Sequence, residues 1–423
     1  MSRLAFAFLV CIFALSGCSE QSPVSYGQRY QGAPSGPTVL GGPGEAAAGS
    51  PYATHKIAIL LPLSGPRAGL ASVLLQAAQL AADGNGGSSL DVLDTAGTAS
   101  GAVEAVNTAL SHGDGIILGP LTSAETAAAA PAAQSAGIPV LAFTNDTKQA
   151  RPGLWPLGIS PGQQIRRLVA AGQAQGRTRF AALLPDTDFG HAMATALGEA
   201  LQAAGLPDAP IRFHASGMAS ITAAVREISG YADRRGPIDA KIKELKQELT
   251  SDARRQIQEL QKTPIPPPPF DILLLGDTGD SLQEIAAVLP YYDVDRSVVQ
   301  IIGPALWGDR ASGSGYVQGA WYAAPDSATR NSFVGEYQGR YGAAPPPIAD
   351  LAYDAALIAR FVSAGSGPYT AALTQPSGFI GSDGWISLMP DGHVRRGLAV
   401  FKLERGGSSM IDPPPEPSSS TGF

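Results

Sequence analysis

The stretch "GIILGPLTSAETAAAAPAAQSAGIPVLAF" (115–143) contains the pattern that decides the predicted fold. A short apolar run ends in a Gly-Pro turn, an alanine-rich segment begins at the potential cap Thr122, and a second apolar run occupies 138–143. Short apolar runs that alternate with helical segments are typical of parallel strands joined by crossover helices. The stretch therefore predicts one strand–helix–strand unit.

The same alternation continues through most of the chain, and helical segments separate its apolar runs. Strands are expected at 55–63, 90–95, 115–120, 138–143, 179–185, 209–215, 270–277 and 298–304. Strands that are buried on both faces read as continuous apolar runs, which favours a parallel sheet covered by helices on both sides. We predict an α/β fold of two doubly wound parallel-sheet lobes joined by a three-stranded hinge.

The boundaries of the lobes follow from where the chain has to cross between them. We expect lobe 1 and lobe 2 to alternate along the chain, with crossings near 156–161, 320–327 and 365–370. Lobe 1 would then consist of 54–158 and 324–366, and lobe 2 of 159–323 and 367–405. The tail 406–423 is rich in Pro, Gly and Ser and is expected to be disordered.

The first residues have the composition of an export signal. Residues 1–17 combine Arg3 with a short apolar run that is too short to span a bilayer. The following "LSGCSE" resembles the bacterial lipobox, in which Cys18 is acylated and becomes the first mature residue. The alternative is ordinary cleavage after Gly17, which leaves a free thiol. Residues 18–53 have no hydrophobic period and are expected to be a flexible spacer.

Bulk composition argues against several classes of function. The chain has 423 residues, a formal net charge of −7 and no basic block, which argues against a nucleic-acid partner. No metalloprotease, hydrolase-elbow or phosphate-loop motif occurs, and the five histidines lack metal-ligand spacing. We therefore expect no enzymatic activity, no cofactor and no metal.

A charged segment at 231–269 interrupts the alternation inside lobe 2. Residues 233–262 include eight basic and six acidic side chains, with apolar residues at helical spacing between them. This pattern predicts a helix or a helical hairpin that ends at a run of prolines. One interpretation is a solvated decoration, and the other is a docking element for a partner. The docking candidates are Lys241, Lys243, Arg254 and Arg255.

Four stretches of the chain together resemble a known family. They are "IAILLPLSGP", "GIILGPLTSAET", "GIPVLAFTND" and "FAALLPDTDFG", and they resemble the type I periplasmic-binding fold of the leucine/isoleucine/valine receptor class. With the lipobox, the spacer and the charged insertion, the chain is also similar over roughly 55–405 to LpoA-type penicillin-binding protein activators. These activators are outer-membrane lipoproteins, and they carry an additional N-terminal helical-repeat domain that this chain replaces with a spacer.

The resemblance implies positions for a ligand in the cleft between the lobes. In the amino-acid receptors a Ser and a Thr hold the ligand carboxylate, and Ser123 and Thr144 stand at those places. Ser64 follows the first strand at the same predicted edge. Phe189 stands where an aromatic residue, usually Tyr, stacks on the ligand. Ala305 stands where the receptors have the acid that pairs with the ligand ammonium, and an unpaired buried ammonium is costly. The alternative is a shifted acid at Asp309, four residues on.

Three functions are compatible with these observations. The first is a non-enzymatic lipoprotein, anchored by its lipid to the outer membrane and facing the periplasm, that binds and activates a bifunctional penicillin-binding protein, a peptidoglycan synthase. The second is the substrate-binding receptor of an ABC importer for amino acids or related small polar solutes. The third is a sensor that binds a peptidoglycan fragment. Ala305 and the outer-membrane pattern of Ser19 after Cys18 favour the first.

Overall fold

Three β-sheets organise the described part of the protein. The computed structural model describes residues 36–40, 56–83, 90–310, 317–326, 328–365 and 369–415. The strands are β1 (Thr38–Val39), β2 (Ile57–Leu61), β3 (Leu90–Asp94), β4 (Ile116–Leu118), β5 (Val140–Ala142), β6 (Leu154–Pro156), β7 (Phe180–Pro185), β8 (Ile211–His214), β9 (Ile272–Leu275), β10 (Gln300–Gly303), β11 (Trp321–Ala324), β12 (Phe379–Gly381), β13 (Gly384–Leu388), β14 (Val394–Arg396), β15 (Ala399–Glu404) and β16 (Gly407–Asp412).

Helices connect most of these strands. They are α1 (Ala68–Ala82), α2 (Ala99–His112), α3 (Ser123–Ser135), α4 (Pro161–Ala174), α5 (Asp188–Ala203), α6 (Met218–Ile228), α7 (Tyr231–Glu248), α8 (Ser251–Lys262), α9 (Gly279–Val288), α10 (Trp307–Arg310), α11 (Asn331–Tyr341), α12 (Ala349–Ala364) and α13 (Tyr369–Leu373). Within the described ranges, each helix is too short or too polar to cross a lipid bilayer.

Lobe 1 is built on a five-stranded parallel sheet in the order β3-β2-β4-β5-β6. All five residues of β2, an interior strand of this sheet, are fully buried because helices cover both faces of the sheet. Helices α1, α11 and α12 form the apolar core on one face, and α2 and α3 form the core on the other. The predicted doubly wound α/β architecture is confirmed for this lobe.

Lobe 2 is built on a seven-stranded sheet in the order β16-β15-β11-β10-β9-β7-β8. The strands from β8 to β11 are parallel, and β15 and β16 continue the sheet in antiparallel orientation. Helices α6 and α9 pack on one face, while α4 and α5 pack on the other. This lobe is also doubly wound, with two antiparallel edge strands added.

The third sheet corrects one predicted boundary. It has the order β1-β12-β13-β14, and its side chains Phe379 and Leu388 lie in the core of lobe 1. Residues 369–396 were expected in lobe 2, but this burial keeps them on lobe 1. The third crossing therefore lies at 397–398 and not at 365–370. The other two crossings lie at 157–160 and 325–330, between elements of different lobes.

Hydrogen bonds tie the first and third crossings together at the hinge. Arg396 Nη2 donates to the carbonyl oxygen of Leu157 at 2.7 Å, and this contact is buried. From helix α4, Gln163 Nε2 donates to the Val394 carbonyl, and Arg167 Nε donates to the Leu398 carbonyl, each at 2.7 Å. The first and third crossings are thus linked to each other by hydrogen bonds and are not independent connections between the lobes.

Ordered strands also occur in two segments that we expected to lack structure. Residues 407–412 of the expected disordered tail form β16, which pairs with β15, and Arg167 Nη2 contacts Asp412 Oδ2 at 2.8 Å. In the expected spacer, Thr38 and Val39 pair with β12. Backbone pairing at a sheet edge is available to polar and Gly-rich sequence, which explains why composition concealed both strands.

The charged insertion forms a helical hairpin, α7 and α8, on lobe 2. Ile242 and Leu245 of α7 are buried, and Arg234 holds the base by donating to the carbonyls of Ser229 and Tyr292. The apolar residues predicted at helical spacing within 233–262 form a stripe that includes Leu249. In the structure Leu249 caps α7 at the tip of the hairpin with φ 53° and is 80% exposed. The stripe is interrupted because the chain reverses direction there.

Candidate functional site

The residues expected to bind ligand follow the carboxyl ends of parallel strands in both lobes. In lobe 1 the chain order reverses between β2 and β4, and in lobe 2 it reverses between β7 and β9. Ligands of open α/β sheets bind in the crevice at such a switch point. Ser64 lies in the loop after β2, Ser123 begins helix α3 after β4, and Phe189 lies in the first turn of helix α5 after β7. The fold thus brings these side chains to the expected edges.

Ser123 is engaged by a carboxylate of the protein itself. Its hydroxyl donates to Asp146 Oδ2, and Gln149 Nε2 donates to both Ser123 Oγ and Asp146 Oδ2 at 3.2 Å. Thr144, which is buried, accepts the amide hydrogen of Asp146 at 3.1 Å. The two hydroxyls expected to hold a ligand carboxylate therefore both contact Asp146.

Ser64 repeats this arrangement in the neighbouring loop. The amides of Leu63 and Ser64 donate to Asp94 Oδ1 at 2.9 and 3.3 Å, and the amide of Ala96 donates to the same oxygen at 2.8 Å. Asp94 is the last residue of β3, so its carboxylate lies beside the loop that follows β2. A second internal carboxylate thus uses the donors at this edge.

Glu125 is the third carboxylate at the edge, and it is fully buried. Thr95 Oγ1 donates to Glu125 Oε1, while the amide and hydroxyl of Thr122 donate to Glu125 Oε2. Thr122 and Glu125 form a capping box at the start of α3, where the helix dipole favours a negative charge. We name Asp94, Glu125 and Asp146 the acidic edge of lobe 1.

Local hydrogen bonds keep the two more exposed carboxylates of the acidic edge ionised. Burial by itself raises the pKa of Asp146, but hydrogen bonds from Ser123, Gln149 and the Lys148 amide hold that pKa below its usual value. Slight burial of Asp94 is likewise outweighed by backbone hydrogen bonds, and its pKa is also lowered. An incoming carboxylate would meet fixed negative charge at this edge.

In lobe 2 the two residues expected to bind ligand, Phe189 and Ala305, make contacts within the protein. Phe189 is half-buried in the first turn of α5, and its ring packs against the core of lobe 2. Ala305 follows β10, and its amide donates to Gln164 Oε1 at 2.8 Å. The side chain at position 305 is a methyl group, which offers no charge to a ligand ammonium.

A buried ion pair occupies the edge of lobe 2 instead. His214 is the last residue of β8, Asp277 follows β9 at the switch point, and His214 Nε2 lies 3.1 Å from Asp277 Oδ2. Trp307 Nε1 donates to the Asp277 carbonyl at 2.8 Å. Burial lowers the pKa of His214, but the hydrogen bond to Asp277 and the attraction of its carboxylate outweigh burial and raise it.

The docking candidates on the insertion are all exposed. Lys241 Nζ pairs with Glu244 at 3.0 Å and Arg255 Nη2 pairs with Asp252 at 3.2 Å, both on the hairpin surface. Lys243 and Arg254 also point to solvent. Cys18 lies outside the described residues, so its expected lipidation stays a prediction.

Sequence reasoning overlooked the carboxylates at these edges, although two signals for them were readable. Thr122 and Glu125 have the spacing of a capping box, and Asp146 ends the quoted "GIPVLAFTND". The sequence prediction treated these hydroxyls as donors to a ligand, whereas in the structure hydroxyls donate to the acids of the protein itself. The pairing of His214 with Asp277 joins residues 63 positions apart and has no local signal.

A family model described as periplasmic binding protein matches residues 54–407. No curated protein matches the chain. Two similar solved structures are a protein assigned to a branched-chain amino acid ABC transporter of Rhodospirillum rubrum (19% identity, TM-score 0.64, covering 84% of this chain and 100% of that one) and a leucine binding protein of Thermotoga maritima (18%, 0.53, 85% and 99%).

A third similar structure is full-length LpoA of Haemophilus influenzae, at 18% identity and a TM-score of 0.59. The match covers 84% of this chain but only 58% of LpoA. At these identities the solved structures show a shared fold and nothing more. Since the family model spans 354 of 423 residues (54 through 407), the chain belongs to the periplasmic binding protein family, whose members usually bind ligands or partners without enzymatic activity.

Proposed function

We propose that the protein is a non-enzymatic envelope lipoprotein that binds and activates a bifunctional penicillin-binding protein, a peptidoglycan synthase. The acidic edge of lobe 1 carries this proposal. The hydroxyl of Ser123 and the amide of Ser64, which would hold a solute carboxylate, already serve Asp146 and Asp94. The scaffold of a solute receptor is present, but these two donors serve internal carboxylates, and the Thr144 oxygen accepts the Asp146 amide hydrogen.

The hairpin α7–α8 is the proposed docking element. Its base is fixed by Arg234, whereas Leu249 at its tip is exposed beside basic side chains that include Arg254 and Arg255. An exposed apolar residue with flexible cations around it suits an acidic partner surface that has an apolar centre. Acylation of Cys18 would anchor the protein in the outer membrane, facing the periplasm.

A second candidate is the substrate-binding receptor of an ABC importer, with a small polar ligand in the cleft. The observation that favours it is topology: both lobes have a switch point at the carboxyl ends of their strands, where open α/β sheets bind ligands. The receptor would have to accept a ligand without a carboxylate at the acidic edge.

Reconstitution with a purified bifunctional synthase tests the proposal. We expect the mature protein to bind the synthase and raise its glycan-polymerising or crosslinking rate several-fold. The double variant Arg254→Glu/Arg255→Glu should weaken binding at least tenfold, since two favourable charge contacts become repulsive. The matched control Arg67→Glu/Arg405→Glu changes the charge equally at exposed positions outside the hairpin and should bind normally.

The two candidate functions give opposite results. Absence of binding and of rate stimulation would exclude the activator function. A thermal shift of the wild-type protein by an amino acid or another small polar solute, with no effect on the synthase, would establish the receptor function instead.

A further inference from the structure

Three potential metal ligands meet at the amino-terminal end of the lobe 1 sheet, opposite the acidic edge. Asp91 lies near the start of the edge strand β3, His112 ends α2, and Asp114 follows the left-handed cap Gly113. One ligand atom from each side chain lies within 4.8 Å of the others, and His112 Nδ1 is 2.6 Å from Asp91 Oδ2.

Asp114 shows that this cluster is more than a surface ion pair. The residue is 2% exposed, and neither of its carboxylate oxygens accepts a hydrogen bond from a described residue. Asp114 is buried beside Asp91, so two carboxylates and one imidazole converge on the same place. Buried carboxylates are normally paired, hydrogen-bonded or bound to metal.

We propose that Asp91, His112 and Asp114 form a binding site for a divalent transition-metal ion of the Zn²⁺ class. Imidazole nitrogen selects such ions over Ca²⁺, which takes six to eight oxygen ligands. Two carboxylates balance the charge of one divalent ion. Because Asp91 and His112 are partly exposed, the ion has an entry path and a fourth position open to water.

A bound ion would join three elements that are separate in the chain. With metal–ligand distances of about 2.0–2.2 Å, the His112 Nδ1 and Asp91 Oδ2 atoms have to separate to about 3.3 Å. The His112 side chain is 46% exposed and has room for this adjustment. The ion would then tie the edge strand β3 to the end of α2 and to the loop before β4. This site is independent of the proposed synthase partner.

Metal titration of the full-length protein, without an affinity tag and stripped with EDTA, tests the site. Isothermal calorimetry with ZnCl₂ should give one equivalent, and a hundredfold excess of free Zn²⁺ over Kd should raise Tm by about 4 °C. MgCl₂ and CaCl₂ should leave Tm unchanged. Failure of Zn²⁺ to bind the wild-type protein overturns the proposal without any variant.

Variants assign the binding to these residues. His112→Ala and Asp114→Asn should each lower Zn²⁺ affinity at least tenfold. Without metal, Asp114→Asn should have a higher Tm than the wild type, because it removes an unpartnered buried carboxylate, and this result also shows that the variant folds. The control His191→Ala disrupts a similarly exposed His–Asp pair, 2.9 Å from Asp186, and should bind zinc normally. Unchanged binding in both site variants would overturn the assignment.

Discussion

The carboxyl edges of the two lobes have the same arrangement of parallel strands, but the carboxylates at the two edges have different partners. At the edge of lobe 1, Glu125 and Asp146 accept hydrogen bonds from hydroxyls and amides, and the nearby Lys148 adds a weaker attraction to Asp146. At the edge of lobe 2, Asp277 is paired with His214. The same fold can therefore present fixed negative charge on one wall of a crevice and an internally balanced pair on the other.

The largest expected effect is on stability. Glu125→Ala should lower the free energy of unfolding by about 3 kcal/mol, since it breaks the capping box and leaves the buried Thr95 hydroxyl without its acceptor. Asp277→Ala should lower it by only about 1.5 kcal/mol, because His214 can become neutral. Urea denaturation of both variants measures the difference. Equal losses would mean that the edges do not differ in this way.

The second effect is on pH dependence, and its sign is opposite in the two lobes. The folded pKa of His214 is raised, so its stabilisation is complete below the unfolded value of about 6.5 and is lost as pH rises through the folded pKa. The folded pKa of Asp146 is lowered, so its stabilisation is complete above about 3.8 and is lost as pH falls through the folded pKa.

Thermal denaturation between pH 3 and 9 checks both signs. The Tm difference between wild type and His214→Gln should shrink in alkaline solution, and the difference for Asp146→Asn should shrink in acid. A difference for His214→Gln that grows with pH would contradict the raised pKa.

The smallest effect is a gain of ligand binding at the acidic edge. Asp146→Ala removes a negative charge and frees the Ser123 hydroxyl and the Gln149 amide as donors. We expect this variant to bind a small carboxylate such as leucine weakly, with about a 2 °C rise in Tm at a tenfold excess over Kd. The wild type and the control Asp391→Ala, at an exposed turn, should show no rise. A shift in the wild type would remove the proposed contrast between the edges.

Much of the fold was predictable because it is encoded locally. Apolar strands such as 57–61 and the helices between them follow from periodicity, and the two-lobe architecture follows from their alternation. The third crossing was not predictable, because residues 379–396 can bury their apolar face against either lobe. Only the packing of Phe379 and Leu388 in lobe 1 decides it.

The candidate site was predictable in position but not in chemistry. The sequence predicted that Ser64, Ser123 and Thr144 lie at the carboxyl ends of the lobe 1 strands, because strand ends can be read from the apolar pattern. It could not show that Asp94 and Asp146 accept hydrogen bonds from the same loops, because those contacts join neighbouring loops across the sheet. Long-range pairing of polar groups is decided by tertiary structure.

The side-by-side hydrogen bonding of the hinge has a consequence for association kinetics. Rotation of one lobe against the other has to preserve or break the bonds from Arg396, Gln163 and Arg167 to the crossing strands. A partner that contacts both lobes therefore meets a surface already close to its final shape. Complex formation would lose little conformational entropy in this protein, and affinity would depend mainly on how slowly the partner dissociates.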